Sequence, residues 1–400
     1  MSQLLLDGVR REVLCRGFQA AFGAAPERFF SAPGRAELGG NHTDHQGGHV
    51  LAAAIDLDTV AAVRATGTGV IRVLSQGYPM CRVELSRREP VPGEENTPAA
   101  LIRGVAAGFL AMGCPVSGFD AYVTSQVLPG FGLSSSAAFE VLLGAILNGL
   151  FCGGQRTPME LAMAGHTAEN RYFGKPSGLM DQLTSATGGL LSIDLGNPAK
   201  PHIKRLRVDF SACGYALCIV NSGAGLGELA REYDAIPREM GEISGYFEKS
   251  VLSEVAPSEF YAVLPTLRKK FGDRAVLRAV HFFREDSRVQ KQADALEAGD
   301  FETFLRLVRL SGDSSYMYLQ NVIPAGAVEH QSVAVALALC EHYLAGRGAC
   351  RVHSGGFAGT VQAYVPKNRL EAFQSGMEDA LGKGACQVVT PREQGCTEIL

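Results

Sequence analysis

Hydrophobic and polar positions alternate along residues 119–128 (FDAYVTSQVL), then recur at helical spacing along 139–151 (FEVLLGAILNGLF). A period of two marks a half-buried strand, and a period near 3.6 marks a helix. The connecting run PGFGLSSSAA (129–138) therefore lies at a strand-to-helix turn. Gly130 and Gly132 sit in the turn, and Ser134, Ser135 and Ser136 open the helix. The same reading predicts a helix over 4–22 stopped by Gly23, a turn at 32–35, strands and hairpins within 50–85, and a polar loop over 86–96. Thr97-Pro98 and Thr157-Pro158 each open a helix, running to about 112 and 172, with threonine as N-cap and proline at the first position.

Further strands are expected at 190–195, 206–210 and 215–221. The polar stretch 196–202 marks the boundary between an N-terminal domain, 1–200, and a C-terminal domain, 201–400. Beyond it come a glycine run at 222–227 and helices at 228–246, 263–271, 274–297, 301–309 and 325–344. Strands at 349–352 and 360–365 flank the turn HSGGFAG, and a helix at 369–381 and a strand at 386–390 close the chain. Strands and helices alternating at this end suggest a small α+β sandwich.

The strand-to-helix turn carries chemistry. A helix N-terminus offers unpaired N–H groups and the positive end of the dipole, and glycines let phosphate oxygens approach the backbone. Hydroxyls there add hydrogen bonds, or one ligates magnesium. No lysine follows as in a Walker loop, and no third glycine as in a dinucleotide fingerprint. Near the N-terminus, residues 35–49 gather Arg35, Asn41, Asp44 and three histidines among glycines, a density that suits a functional loop. The bend GKPSGLMDQ (174–182) presents Asp181, and Glu169 lies in the last turn of the helix before it.

Composition narrows the class. In 400 residues, 46% are hydrophobic and 20% charged, and the net charge of −4 is well mixed, which fits a globular protein and gives no nucleic-acid footprint. Apolar stretches are broken by polar residues, so no membrane span is expected, and MSQLLLDGVRR does not read as a signal peptide. Ten scattered cysteines without a CxxC pair read as free thiols in a reducing compartment, hence a cytoplasmic protein.

Four separated motifs agree with one family. PGRAELGGNHTDHQGG, PGFGLSSSAA and SGGFAG resemble the three motifs of the GHMP kinases. The first is similar to the galactokinase pattern PGRVNLIGEHTDYNGG, and AENRYFGKPSGLMDQ resembles the galactokinase stretch bearing the catalytic aspartate. The resemblance implies an α+β, two-domain fold: an N-terminal ribosomal S5 domain 2-like domain and a C-terminal ferredoxin-like sandwich, with ATP and sugar in the cleft between them. It implies Asp181 as catalytic carboxylate and Arg35 as transition-state stabiliser. Asn41, His42, Thr43, Asp44 and Tyr233 fall at sugar-binding positions. Gly130, Phe131, Gly132, Leu133, Ser134, Ser135 and Ser136 match the ATP phosphate loop, with Ser136 and Glu169 as magnesium ligands.

Bland readings stand beside these. Asp181 also suits a helix cap, Tyr233 suits packing, and His42, His45 and His49 near Asp44 raise the question of a transition metal. The chain departs from the galactokinase pattern at Glu37 for asparagine, Asn41 for glutamate and His45 for tyrosine, all around the sugar. The expected activity is ATP- and magnesium-dependent phosphorylation of the anomeric hydroxyl of galactose or a close relative, by a monomer binding neither nucleic acid nor membrane. The alternatives are a kinase for another sugar, such as N-acetylgalactosamine or arabinose, and a galactokinase-like sugar sensor without turnover.

Overall fold

The computed structural model describes residues 6–223, 229–357 and 359–399. Residues 4 and 5 of the first expected helix, 224–227 of the glycine run, residue 228 and Ala358 of the third motif lie outside them.

The strands Arg28–Gly39 and His49–Ala65 form the spine, paired antiparallel over almost their whole length. Both are buried on both faces, and they are rich in alanine where helices and a second sheet press on them. Residues 32–35, expected as a turn, instead continue the first strand: the register shifts between Pro33 and Arg35, and this irregularity accommodates the proline. The strand Phe119–Ser125 pairs with His49–Ala65, and Val70–Ser75 pairs parallel with Phe119–Ser125 and antiparallel with Cys81–Glu84. Leu190–Asp194 joins the other half of His49–Ala65 and turns into His202–Leu206. The polar stretch 196–202 is thus a hairpin connection inside the first sheet, and the strand expected at 206–210 lies four residues earlier. The first sheet runs past residue 200.

Helices Pro98–Ala111, Ser135–Phe151, Pro158–Thr167 and Met180–Thr187 cover one face of this sheet over a core that includes Phe109, Phe119, Val141, Leu142 and Leu183. Thr157 closes a capping box with Glu160, whereas the Thr97 hydroxyl turns back to the Glu94 carbonyl and leaves that helix without a side-chain cap. The helix expected to run to 172 ends at Thr167, and a π-turn, Ala168–Phe173, follows with Glu169 in it. π-turns of this kind are frequent at functional sites.

The second sheet has strand order Cys386–Val389, Tyr215–Asn221, Thr360–Pro366, Ala349–His353, all antiparallel. In chain order this is 4-1-3-2 with βαββαβ connectivity, the ferredoxin-like sandwich that was expected. Helices Ser332–Leu344 and Leu370–Leu381 cover one face. The first of these begins later than expected, after a non-helical stretch holding Gly326 at φ 79°. Leu38 and Leu51 of the first sheet share a second core with Leu217, Ile219 and Tyr364 of the second, and with Val289 and Phe304 of helices Asp273–Glu297 and Phe301–Ser314. The two sheets are therefore welded, and the cleft opens at one edge of the weld. Cys114 and Cys152 are joined as a disulfide, which the scattered cysteine pattern did not indicate; the other described cysteines are free. Among the described residues no helix is long and apolar enough to cross a membrane.

The strand Thr397–Ile399 seals the outer edge of Arg28–Gly39, with Ile399 opposite Phe29 and packed among Leu14, Phe18 and Val60. Ile399→Ala is expected to destabilise the fold by about 2–4 kcal/mol, the cost of removing a buried branched side chain. Urea unfolding of the two proteins would measure it; a change within error would mean this edge contributes little.

Candidate active site

The phosphate-loop candidate is built as its sequence suggested, with one refinement. The helix starts at Ser135, and Ser134, at φ 62°, is its N-cap. Gly130 and Gly132 both take positive φ. At Gly132 an added Cβ would meet Thr360 Oγ1 at 2.6 Å, so only glycine lets the loop lie on the second sheet. Leu133 is buried, and its carbonyl accepts from Arg35 N at 3.1 Å, which fastens the loop to the irregularity in the first strand. Phe131 packs against the inter-sheet core.

Arg35 and Asp181 form a two-pronged ion pair, Nε to Oδ1 at 2.6 Å and Nη2 to Oδ2 at 2.9 Å. Arg35 is 3% exposed, and its fork also donates to the Gly132 carbonyl and to Ser354 Oγ. Ser134 donates its hydroxyl to Asp181 Oδ2, so the loop, the arginine and the aspartate are one unit. Asp181 stands in the first turn of Met180–Thr187, not at its cap. Burial pushes its carboxyl upward, but Arg35, Ser134 and Lys175 outweigh that and hold it below the ordinary range. It is ionised at neutral pH.

A cavity of about 190 Å³ opens beside this pair, bounded by Glu37, His42, Asp44, His45, Lys175 and Tyr233. At ~30 Å³ per water it holds about six waters, the scale of one monosaccharide. Asp44 lies over Gly178, where a Cβ would meet Oδ2 at 2.0 Å. Burial, then the charge of Asp181, raises the Asp44 carboxyl to about 6. His42 and His45 face each other at 3.2 Å, Nδ1 to Nε2, and burial keeps both neutral, His45 down at about 4. His49 turns away to Asp286, so the three histidines do not converge. Tyr233, on the helix Ala230–Tyr246, reaches the cavity and there donates to the Gly356 carbonyl at 2.9 Å and meets Phe357 edge-on, so it bridges that helix to the third motif.

Two expected sugar contacts are not brought to this cavity. The Asn41 amide is fully buried: Nδ2 donates to Glu37 Oε1 and the Ser354 carbonyl, and Oδ1 accepts from Asn321 and Ser315. Thr43 Oγ1 is spent on the Gly40 and His49 carbonyls inside its own loop. Thr43 is drawn inward by backbone carbonyls of its own loop, and Asn41 by Glu37 and by groups of distant segments.

Behind Ser136 lies a second carboxylate centre. Glu169 accepts from Ser136 Oγ at 2.9 Å and Lys175 Nζ at 2.7 Å on Oε1, and from Ser177 Oγ at 2.6 Å and Gln182 Nε2 at 2.8 Å on Oε2. Burial pushes Glu169 up, and Lys175 and Ser177 bring it below its ordinary value. A hydroxyl oxygen and a carboxylate oxygen side by side at a helix N-terminus suit a hard divalent cation completed by phosphate and water. Lys175, half-exposed, now supplies the positive charge that such an ion would bring. Gln182 also donates to Glu140, which is buried, lacks a partner on Oε1, and is raised well above its ordinary value by burial and then by Glu169. The sequence reading gave no role to Lys175 or Glu140, and noted Glu37 and Ser354 only as departures from the family motifs. For Glu140 the visible signal was a lone glutamate inside the apolar run FEVLLGAI.

Known proteins resemble the chain in two sequence segments and in fold. Residues 16–65 match the galactokinase galactose-binding signature, and residues 100–189 match the GHMP kinases N terminal domain. The crystal structure of Lactococcus lactis galactokinase complexed with galactose is similar over 97% of this chain and 99% of its own, at 24% identity and a TM-score of 0.81. Methanococcus jannaschii mevalonate kinase is similar over 91% and 98%, at 13% identity and a TM-score of 0.65. Streptococcus pneumoniae phosphomevalonate kinase, in complex with phosphomevalonate and AMPPNP, is similar over 90% and 98%, at 12% identity and 0.62. At these identities the likeness is one of fold.

The folded state holds the Glu140 proton above the ordinary value of 4.5, so wild-type stability falls as pH rises from there toward the folded pKa. Glu140→Gln removes that titration. Its stability relative to wild type is expected to be higher at pH 8 than at pH 5 in paired urea unfolding curves; an equal difference at both would mean Glu140 is ionised.

Proposed function

From a chain that carries a GHMP kinase N-terminal domain and a galactokinase galactose-binding signature on the GHMP kinase fold, we infer a sugar kinase of the galactokinase type. It transfers the γ-phosphoryl group of ATP to the anomeric hydroxyl of galactose or a closely related sugar, giving sugar 1-phosphate and ADP. The observation that carries this reading is the buried Arg35–Asp181 fork, tied through Ser134 to the phosphate loop and opening on a monosaccharide-sized cavity.

The chemistry follows from the side chains. Phosphoryl transfer depends on positioning and charge neutralisation more than on a strong base. Asp181, ionised, orients the sugar hydroxyl and takes its proton; an anomeric hydroxyl is more acidic than an ordinary alcohol, so a weak base suffices. Arg35 keeps Asp181 charged and offsets charge on the moving phosphoryl group. Asp44 accepts from sugar hydroxyls, and neutral His42 and Tyr233 line the same cavity. The backbone N–H groups and hydroxyls of the loop from Gly130 to Ser136 hold the nucleotide phosphates. Ser136 and Glu169 would hold magnesium, which supplies charge to the phosphate oxygens. The intact fork favours turnover over a silent sensor.

ATP consumption with magnesium across galactose, N-acetylgalactosamine, arabinose and glucose, with phosphorus NMR of the product, tests the reading. Asp181→Asn is expected to lower kcat at least about a hundredfold while nucleotide binding persists. Binding of sugar without turnover by the wild type would point to a sensor. Because only the ionised Asp44 can accept on both oxygens with full charge, the sugar KM is expected to rise as pH falls through about 6, with kcat less affected. A KM flat between pH 7 and 5 would remove Asp44 from sugar recognition.

A further inference from the structure

Glu37 ends on the cavity wall although its side chain is only 4% exposed. Its Oε1 is committed, accepting from Arg351 Nη2 at 2.9 Å and Asn41 Nδ2 at 3.0 Å. Its Oε2 has no hydrogen-bond partner among the described residues, and it is not sealed from the cavity as the buried unpartnered Glu140 Oε1 is. A carboxylate oxygen left so is short of a donor, and a ligand hydroxyl is the chemistry that would supply one. Asn41 has nothing to offer in its place, since all its amide hydrogen bonds are made. Against the pattern PGRVNLIGEHTD, carboxamide and carboxylate have exchanged places at positions 37 and 41, and here the exchanged pair is hydrogen-bonded.

Position along the strand says which end of the sugar is read. Arg35 and Glu37 are two residues apart on a stretch of regular pairing, opposite Ala54 and Ala52, so they project to one face about 7 Å apart. Arg35 marks the reacting end through Asp181, which leaves Glu37 about one pyranose ring away.

We propose that Glu37 is a specificity-determining residue: Oε2 accepts from a sugar hydroxyl remote from the anomeric carbon, while Arg351 and Asn41 hold the carboxylate in place. The proposal rests on the sugar-kinase reading above. It replaces Asn41 with Glu37 as the reader of that end of the ring.

The test uses wild type and Glu37→Gln with galactose and its 2-, 3-, 4- and 6-deoxy analogues. Glutamine keeps the shape but exchanges an acceptor for a donor. The variant is expected to raise the galactose KM about 10–100-fold, leave the ATP KM within about twofold, and lose the penalty that wild type shows for one particular deoxy analogue. An unchanged galactose KM, or equal losses for every analogue in both proteins, would overturn the proposal while leaving the kinase reading intact. If wild type binds ATP but none of these sugars by calorimetry, the sugar-kinase reading fails and this proposal falls with it. If the variant does not fold, a crystal structure of the wild type with galactose decides: a hydroxyl within about 3.2 Å of Oε2 supports the assignment, and its absence overturns it.

Discussion

Five carboxylates crowd the junction of the two sheets, and there are too few cations for them all. Asp181 takes Arg35, Glu37 takes Arg351, and Glu169 takes Lys175. Burial raises Glu37 even beside Arg351, and the two left over also shift up: Asp44 rises to about 6 and Glu140 goes well above its ordinary value. Burial of like charges permits few ionisation patterns, and the allocation of cations selects one. It leaves Asp181 ionised beside the loop 129–138, Asp44 titrating at about 6, and Glu140 held toward its neutral form behind Glu169. The arrangement of charges is thus an electrostatic solution imposed by packing.

That allocation needs both sheets. Arg35 comes from the first strand and Arg351 from the second sheet. Gln362 donates to the Glu37 carbonyl, and His353 contacts the Glu37 amide. Gly132 lies against Thr360, so the loop 129–138 of the first half rests on the second. Neither half carries a complete set of charges alone.

Much of this was legible in local pattern. The strand–turn–helix around PGFGLSSSAA, the bend presenting Asp181 and the βαββαβ end all announce themselves through periodicity, glycines and caps. Arg35 and Asp181 were identifiable because they sit in motifs with local signatures. What was not legible depends on contacts between distant segments. Nothing near Asn41 in the chain reveals that Asn321, Ser315 and Ser354 will consume its amide. Nothing near Glu37 announces Arg351. The strand through 32–35 was hidden because Pro-Gly favours a turn locally, while pairing with His49–Ala65 overrides it. The hairpin over 196–202 was hidden for the opposite reason: a polar connection inside a sheet looks like a linker.

The pairing of Phe29–Ser31 with 397–399 has a consequence for how the protein is made. Residues 29–31 are synthesised long before residues 397–399, so the strand's outer edge waits unpaired while the intervening chain is made. Throughout translation that edge presents unsatisfied amides and carbonyls to any neighbouring chain. Premature termination would release a product with its edge permanently open, so truncated chains should reach aggregates or quality-control machinery more readily than full-length ones.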